Sequence, residues 1–167
     1  MTARRQENKV RYLRIACVVA IAAAGPTGGW GDAWAVTERV VVNRHTGLAI
    51  DGHDPVAYFT DGQPTRGDRD IEAVERGAVW RFRNDANRAA FLAHPEIYGP
   101  RYGGYDPVDV ARGRIVAGQA QVWLISGQRL YLFSRDDNRS AFMADPAGVV
   151  KQADGQWPAL LETLSGH

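Results

Sequence analysis

The feature that most limits what this chain can fold into is an internal repeat. Phe82, Asn87, Arg88, Phe91 and Pro95 recur as Phe133, Asn138, Arg139, Phe142 and Pro146, at a constant offset of 51 residues. In the first copy Arg76-Gly77 separates two runs, Ile71 to Glu75 and Ala78 to Phe82. In the second, Ser126-Gly127-Gln128 separates Gln121 to Ile125 from Arg129 to Phe133. Aromatic and β-branched residues on the runs, with Gly at the bend, predict a β-hairpin in each copy. Short helices are expected to follow, with Asp85 and Asp136 or Asp137 accepting the unpaired amides of the first turn and Pro95 and Pro146 ending what precedes them. Phe91 and Phe142 are expected to pack onto their own hairpins. Two copies are too few for an open solenoid, so the expectation is one compact α+β domain of two hairpin-helix units sharing a core.

Three Asp-Pro pairs mark further helix starts: Asp54-Pro55, Asp106-Pro107 and Asp145-Pro146. The carboxylate caps free amides, and Pro suits a first helical position where an N–H has no partner. Gly113 should stop the second of these helices. Trp157-Pro158 is expected to open a separate terminal helix toward Leu164, and the alternating segment Val36 to Asn43 a strand.

The N-terminus reads differently. Arg4, Arg5, Lys9, Arg11 and Arg14 precede the apolar stretch Ile15 to Ala24 and a Gly/Pro-rich segment. That is the pattern of a secretory signal peptide, and the apolar stretch is too short for a permanent membrane span, which needs roughly 20 residues. Ala33-Trp34-Ala35 fits a small-x-small cleavage site. The expected organisation is therefore residues 1–35 as a cleaved leader and 36–167 as the domain, periplasmic or secreted. Arg4-Arg5 lies well before the apolar run, which favours general export over the twin-arginine route.

Cleavage at Ala35 would change the electrostatics and remove the only thiol. The whole chain carries 20 basic and 19 acidic residues. Removing the five basic residues above with Glu7 and Asp32 leaves 15 and 17, a formal charge of −2. The basic residues are nearly all Arg and are interspersed with acidic ones, so no stripe follows a phosphate backbone and nucleic acid is not an expected partner. The single Cys, Cys17, excludes a disulfide-stapled fold and a structural zinc site built on cysteines.

Within the domain the chain resembles the exported single-domain YHS proteins. The resemblance is carried by Gly47-Leu48-Ala49-Ile50, Gly52-His53-Asp54-Pro55-Val56-Ala57-Tyr58-Phe59, Gly77-Ala78-Val79-Trp80-Arg81-Phe82, Asn87-Arg88, Phe91 and Pro95-Glu96-Ile97-Tyr98. It continues through Tyr102-Gly103-Gly104-Tyr105, Leu130-Tyr131-Leu132, Ala153-Asp154 and Trp157-Pro158. It implies a small exported α+β domain with an analogy to the metal-handling YHS and TRASH modules of copper pumps. Those modules hold metal through cysteines, which residues 36–167 lack, so their site does not carry over. Two departures stand out: His53 replaces a Tyr of the family pattern, and Asp106 replaces a Cys. Were they to face one another, His53 and Asp106 would begin a site for zinc or copper(II), with Asp54, His45 or His94 as third ligand. The alternative is that His53 is a turn residue and Asp106 a helix cap.

A second candidate site is the loop Tyr98-Gly99-Pro100-Arg101-Tyr102-Gly103-Gly104-Tyr105. Its glycines permit close approach of a ligand, Tyr98, Tyr102 and Tyr105 offer apolar faces with polar tips, and Arg101 suits an anion. Tyr58 and Trp80 are expected to add walls; the alternative is that the loop covers the core. No hydrolase elbow, zinc-protease helix, phosphate-binding glycine loop or cysteine nucleophile occurs in residues 36–167, so catalysis is not expected. The sequence points to an exported binding module of the cell envelope, for a metal ion or small ligand. The alternative is an accessory protein that contacts another envelope protein without a small ligand.

Overall fold

A computed structural model describes residues 39–165; the expected leader and its cleavage site at Ala35, with His167, lie outside the described residues. Ten elements follow one another: α1 (Ala57–Thr60), β1 (Asp68–Glu75), β2 (Ala78–Phe82), α2 (Asp85–Ala93), α3 (Pro95–Tyr98), α4 (Pro107–Ala111), β3 (Gln119–Ser126), β4 (Arg129–Phe133), α5 (Asp136–Ala144) and α6 (Pro146–Ser165). The class is α+β, with β1-β2 and β3-β4 as separate two-stranded antiparallel hairpins, each followed by helices.

The repeat is reproduced in backbone detail. Arg76 and Gly77 have φ of 52° and 76°, and Gly127 and Gln128 have 55° and 58°. Two consecutive positive φ values make the tight turn whose twist matches paired strands, so the second turn is two residues long and Ser126 belongs to β3, paired with Arg129. Both hairpins carry the same irregularity: Asp68 pairs with Phe82 and then Glu72 with Arg81, just as Gln119 pairs with Phe133 and then Trp123 with Leu132. Extra residues in the first strand of each pair bend it over the helix that follows. The correspondence extends further back than the sequence pattern. Ile50, Asp51 and Gly52 all have positive φ, and so do Tyr102, Gly103 and Gly104. Each of these left-handed turns leads into an Asp-Pro pair.

β4 explains why the two units form one body. Successive strand residues point to opposite faces, and four of its five residues are buried. Leu130 and Leu132 enter a first core with Trp80, Phe82, Phe91, Tyr58 and Ala49. Tyr131 and Phe133 enter a second with Phe142, Tyr102, Tyr105, Val108 and Val110. Aromatic contacts tie each helix to its hairpin: Phe91 lies 4.8 Å from Trp80 and 5.3 Å from Phe82, and Phe142 lies 4.7 Å from Tyr131 and 5.4 Å from Phe133. The expected packing of the two Phe residues therefore holds, but on two cores joined by a shared strand rather than on one.

Three local expectations are corrected. Within the described part of the segment expected as a strand (Val36 to Asn43), pairing is confined to one bridge, Val42 to Ala49; alternation without a continuous partner does not make a strand. Asp85 is not the cap of α2: the Asn84 side chain accepts the Asn87 N–H at 2.8 Å and Asp85 sits inside the first turn. In α5, Arg135 occupies the cap position with no side-chain bond. Finally, Trp157-Pro158 does not open a new helix, because α6 runs through Pro158. An interior Pro costs roughly 3 kcal/mol, and packing of Trp157, Leu160 and Leu164 on the second core offsets it. Among the described residues no helix is long and apolar enough to cross a membrane.

Candidate functional site: a paired carboxylate latch and an arginine-lined cleft

The Asp-Pro aspartates, two of the three expected metal ligands, are built into the fold. Asp54 is fully buried; its Oδ1 accepts the N–H groups of Val56 (2.8 Å) and Ala57 (3.3 Å), and its Oδ2 accepts the Arg83 N–H (2.8 Å) and the Asn87 side-chain amide (2.7 Å). Asp106, equally buried, repeats this arrangement. Its Oδ1 accepts from Val108 (2.9 Å) and Asp109 (3.4 Å), and its Oδ2 from the Ser134 N–H (2.7 Å), the Ser134 hydroxyl (2.8 Å) and the Asn138 amide (2.7 Å). Burying such oxygens is tolerated because each meets its donors inside the fold. Asp106 thus caps α4, Asp54 holds the turn that leads into α1, and each fastens its segment to the strand end and helix of its own hairpin unit. Alongside Asp106 the second unit adds buried Asp109, which accepts from Asn138 (3.0 Å) and is paired with Arg114 and, at 3.9 Å, with Arg135.

His53 is likewise held at both nitrogens. Its Nδ1 lies 3.0 Å from the Ile50 carbonyl oxygen, which can only accept, so Nδ1–H donates; Nε2 then accepts from the Gln121 amide at 3.1 Å. The expected grouping of His53, Asp54 and Asp106 as metal ligands is therefore corrected. Among the described residues no three His, Cys, Asp or Glu side chains are arranged to hold a metal, and both aspartates spend their oxygens on N–H and O–H donors. His45 and His94, offered as third ligands, are exposed, and His94 lies 3.6 Å from Glu96.

The five residues expected to bind a small ligand separate into two groups. Tyr58 is buried, donates its hydroxyl to the Ala120 carbonyl at 2.9 Å and meets Trp123 edge-on; burial, with the Asp54 charge, pushes its phenol well above the ordinary range. Tyr98 packs edge-on against Phe59 at 5.3 Å, and Tyr105 is buried against Trp157. None of these three lines the cleft that the other two border. Arg101 and Tyr102 instead border a cleft of about 350 Å³, and both bind Asp154 of α6: Arg101 Nη2 at 2.7 Å and the Tyr102 hydroxyl at 2.8 Å. Burial alone would raise the Asp154 carboxyl, but the hydrogen bonds from Arg101 and Tyr102 and the guanidinium charge reverse this and hold it below the usual carboxylate range. Burial and the bond to Asp154 push the Tyr102 phenol upward.

Besides the loop that carries Arg101 and Tyr102, the cleft draws on widely separated parts of the chain. Arg39 comes from the first described segment, Arg76 from the β1-β2 turn, Trp80 from β2, Arg129 from the start of β4, and Trp157 from α6. Sequence reasoning reached Arg101, Tyr102 and Trp80 but missed Arg39, Arg76, Arg129 and Trp157, which are spread over more than a hundred residues. The one signal available was the near absence of Lys among the basic residues after residue 35. A second hollow of about 400 Å³ lies over His53, Asp51, Arg66, Gln119 and Gln121. Its polar groups are already committed: Arg66 to Asp51, Gln121 to His53 and Gln119 to the Ser134 carbonyl.

Comparison with family models, with curated proteins and with solved structures finds no match for this chain.

Proposed function

We propose that the protein is an exported, YHS-like binding module of the cell envelope that holds a small ligand in the arginine-lined cleft, without catalysis. The observation that carries this reading is the cleft itself. A concavity of about 350 Å³ is in the size range of small-molecule sites, and it combines aromatic walls (Trp80, Phe91, Trp157) with a few polar groups. Export rests on the basic and apolar pattern of the leader, and the family resemblance on the motifs quoted above. An accessory protein reading its partner through the Tyr loop would present that loop outward. Tyr102 and Tyr105 are instead 4% and 5% exposed, which is why the cleft and not the loop bears the proposal.

The test is a fragment screen by two-dimensional NMR on the chain expressed with its own leader and recovered from the periplasm. Ligands should shift the resonances of Arg101, Gly103 and the Trp157 indole together, and Trp157→Phe, which keeps an aromatic ring on the second core, should reduce the shifts of Arg101 and Gly103 while the remaining spectrum stays folded. Fragment shifts that fall elsewhere, or nowhere, overturn the reading.

A further inference from the structure

Resting on the cleft as the ligand site, we infer that its ligand is an aromatic organic anion: one or two rings bearing a carboxylate or another acidic group. Four guanidinium groups border the cleft, those of Arg39, Arg76, Arg101 and Arg129, against a single lining carboxylate, Glu96. Glu96 is exposed and lies beside His94. This local excess does not follow from overall composition, since residues 36–167 carry more acidic than basic side chains. A concave, low-dielectric wall of one charge sign focuses its field on the space it encloses.

The guanidinium groups retain donors for a ligand. Among the described residues Arg39 and Arg129 have no ion pair, and Arg76 Nε lies 3.8 Å from Glu75, beyond hydrogen-bonding distance. Arg101 is held by Asp154 through Nη2 alone, and its guanidinium carbon lies 5.4 Å above the Tyr102 ring. That arrangement orients the group, and among the described residues Asp154 is its one carboxylate partner. Planar guanidinium forks match a carboxylate through two parallel bonds. The half-buried Trp157 and the floor of Trp80 and Phe91 supply the apolar counterpart for a ring. The volume of about 350 Å³ admits a small aromatic acid.

The closing experiment uses matched probes, naphthalene-2-carboxylate and naphthalene-2-carboxamide, titrated by calorimetry and two-dimensional NMR. The acid should bind at least about tenfold more tightly than the amide, the difference expected for charge-assisted bonds, and added salt should narrow that gap. Arg39→Gln and Arg129→Gln, alone and together, should reduce acid affinity toward that of the amide while amide binding persists; both positions are at least partly exposed, so the fold is retained. Equal binding of acid and amide within the cleft overturns the anion inference and leaves the cleft reading standing. If neither probe moves the cleft resonances at millimolar concentration, both fall.

Discussion

The side-chain amide of Asn87 donates to Asp54, 33 residues before it, at 2.7 Å, and 51 residues later along the chain Asn138 makes the same bond to Asp106, also at 2.7 Å. The pair is a latch that closes each hairpin unit: the aspartate accepts the amides that lead into a short helix with one oxygen and with the other holds the end of a strand and the face of a helix. Two short helices of four and five residues could not persist alone. The latch, with the cores beneath it, is what keeps them in place.

Removing either carboxylate should be costly and similarly so. Asp54→Ala and Asp106→Ala each leave buried donors unsatisfied, and unfolding in urea should show a loss of about 3 kcal/mol in each case. Chelator treatment of the unaltered protein should leave its melting temperature unchanged, as the oxygens serve N–H and O–H donors; a fall on adding EDTA would contradict the latch assignment.

Gly103 should tolerate substitution far less than Gly127. Both have positive φ, +63° and +55°, but a Cβ on Gly103 would overlap the Arg39 carbonyl oxygen, whereas one on Gly127 meets nothing within 4 Å. Gly127→Ala is expected to cost about 1 kcal/mol, the conformational penalty alone. Gly103→Ala should cost more than twice that in a denaturation assay and should shift the NMR resonances of Val40 and Val41, because the Val41 N–H donates to the Gly103 carbonyl at 2.8 Å.

Acid should loosen the anchor of α6. The Asp154 carboxyl is held below its ordinary value, so its contribution to stability is complete above the unfolded carboxylate pKa of about 3.9 and is lost as pH falls through the lower folded value. The stability difference between the protein and Asp154→Asn should be constant from pH 7 to about pH 5 and shrink below about pH 4. Because Asp154 is partly exposed, the difference at neutral pH should be no more than about 1 kcal/mol. A gap that instead grows on acidification would refute the assignment.

Phe91→Ala and Phe142→Ala should each cost about 3 to 4 kcal/mol, as both remove a ring that is 1% exposed or less. Either substitution should lower a single transition seen alike by circular dichroism and by tryptophan fluorescence. Two separated transitions would mean that the cores are independent.

The hairpins and their helices were legible in the sequence because each of their signals is local: β-branched runs, a glycine at the bend, a proline past the helix. The latch was half legible. The Asp-Pro pattern marks Asp106 as a cap and Asp54 as the holder of a turn's free amides, and the repeat marks Asn87 and Asn138, but nothing local to 54 or 106 reveals that its other oxygen reaches to 87 or 138. A capping aspartate and a metal ligand look the same until their partners are known, so His53 and Asp106 invited a metal site. The cleft was the least legible. Arg76 occupies a hairpin turn and Arg129 a strand start, positions where an arginine ordinarily extends into solvent, and only the fold brings them beside Arg101 and Trp157. Pro158 misled for a related reason, since a helix-breaking propensity was outweighed by aromatic packing that begins one residue earlier.

The shared strand also governs how freely the two copies can drift apart. In β2 only Ala78, Trp80 and Phe82 are buried, leaving Val79 and Arg81 half-exposed and open to exchange. Their counterparts in β4, Leu130 and Leu132, lie inside the core of the other unit. An inherited change at position 132 is therefore judged by side chains of the first copy, while one at position 81 is judged mainly by water. The repeat is thus lopsided: four of the five residues of β4 are enclosed, so few substitutions there leave the packing intact, whereas β2 keeps two half-exposed positions where a side chain can change without disturbing either core.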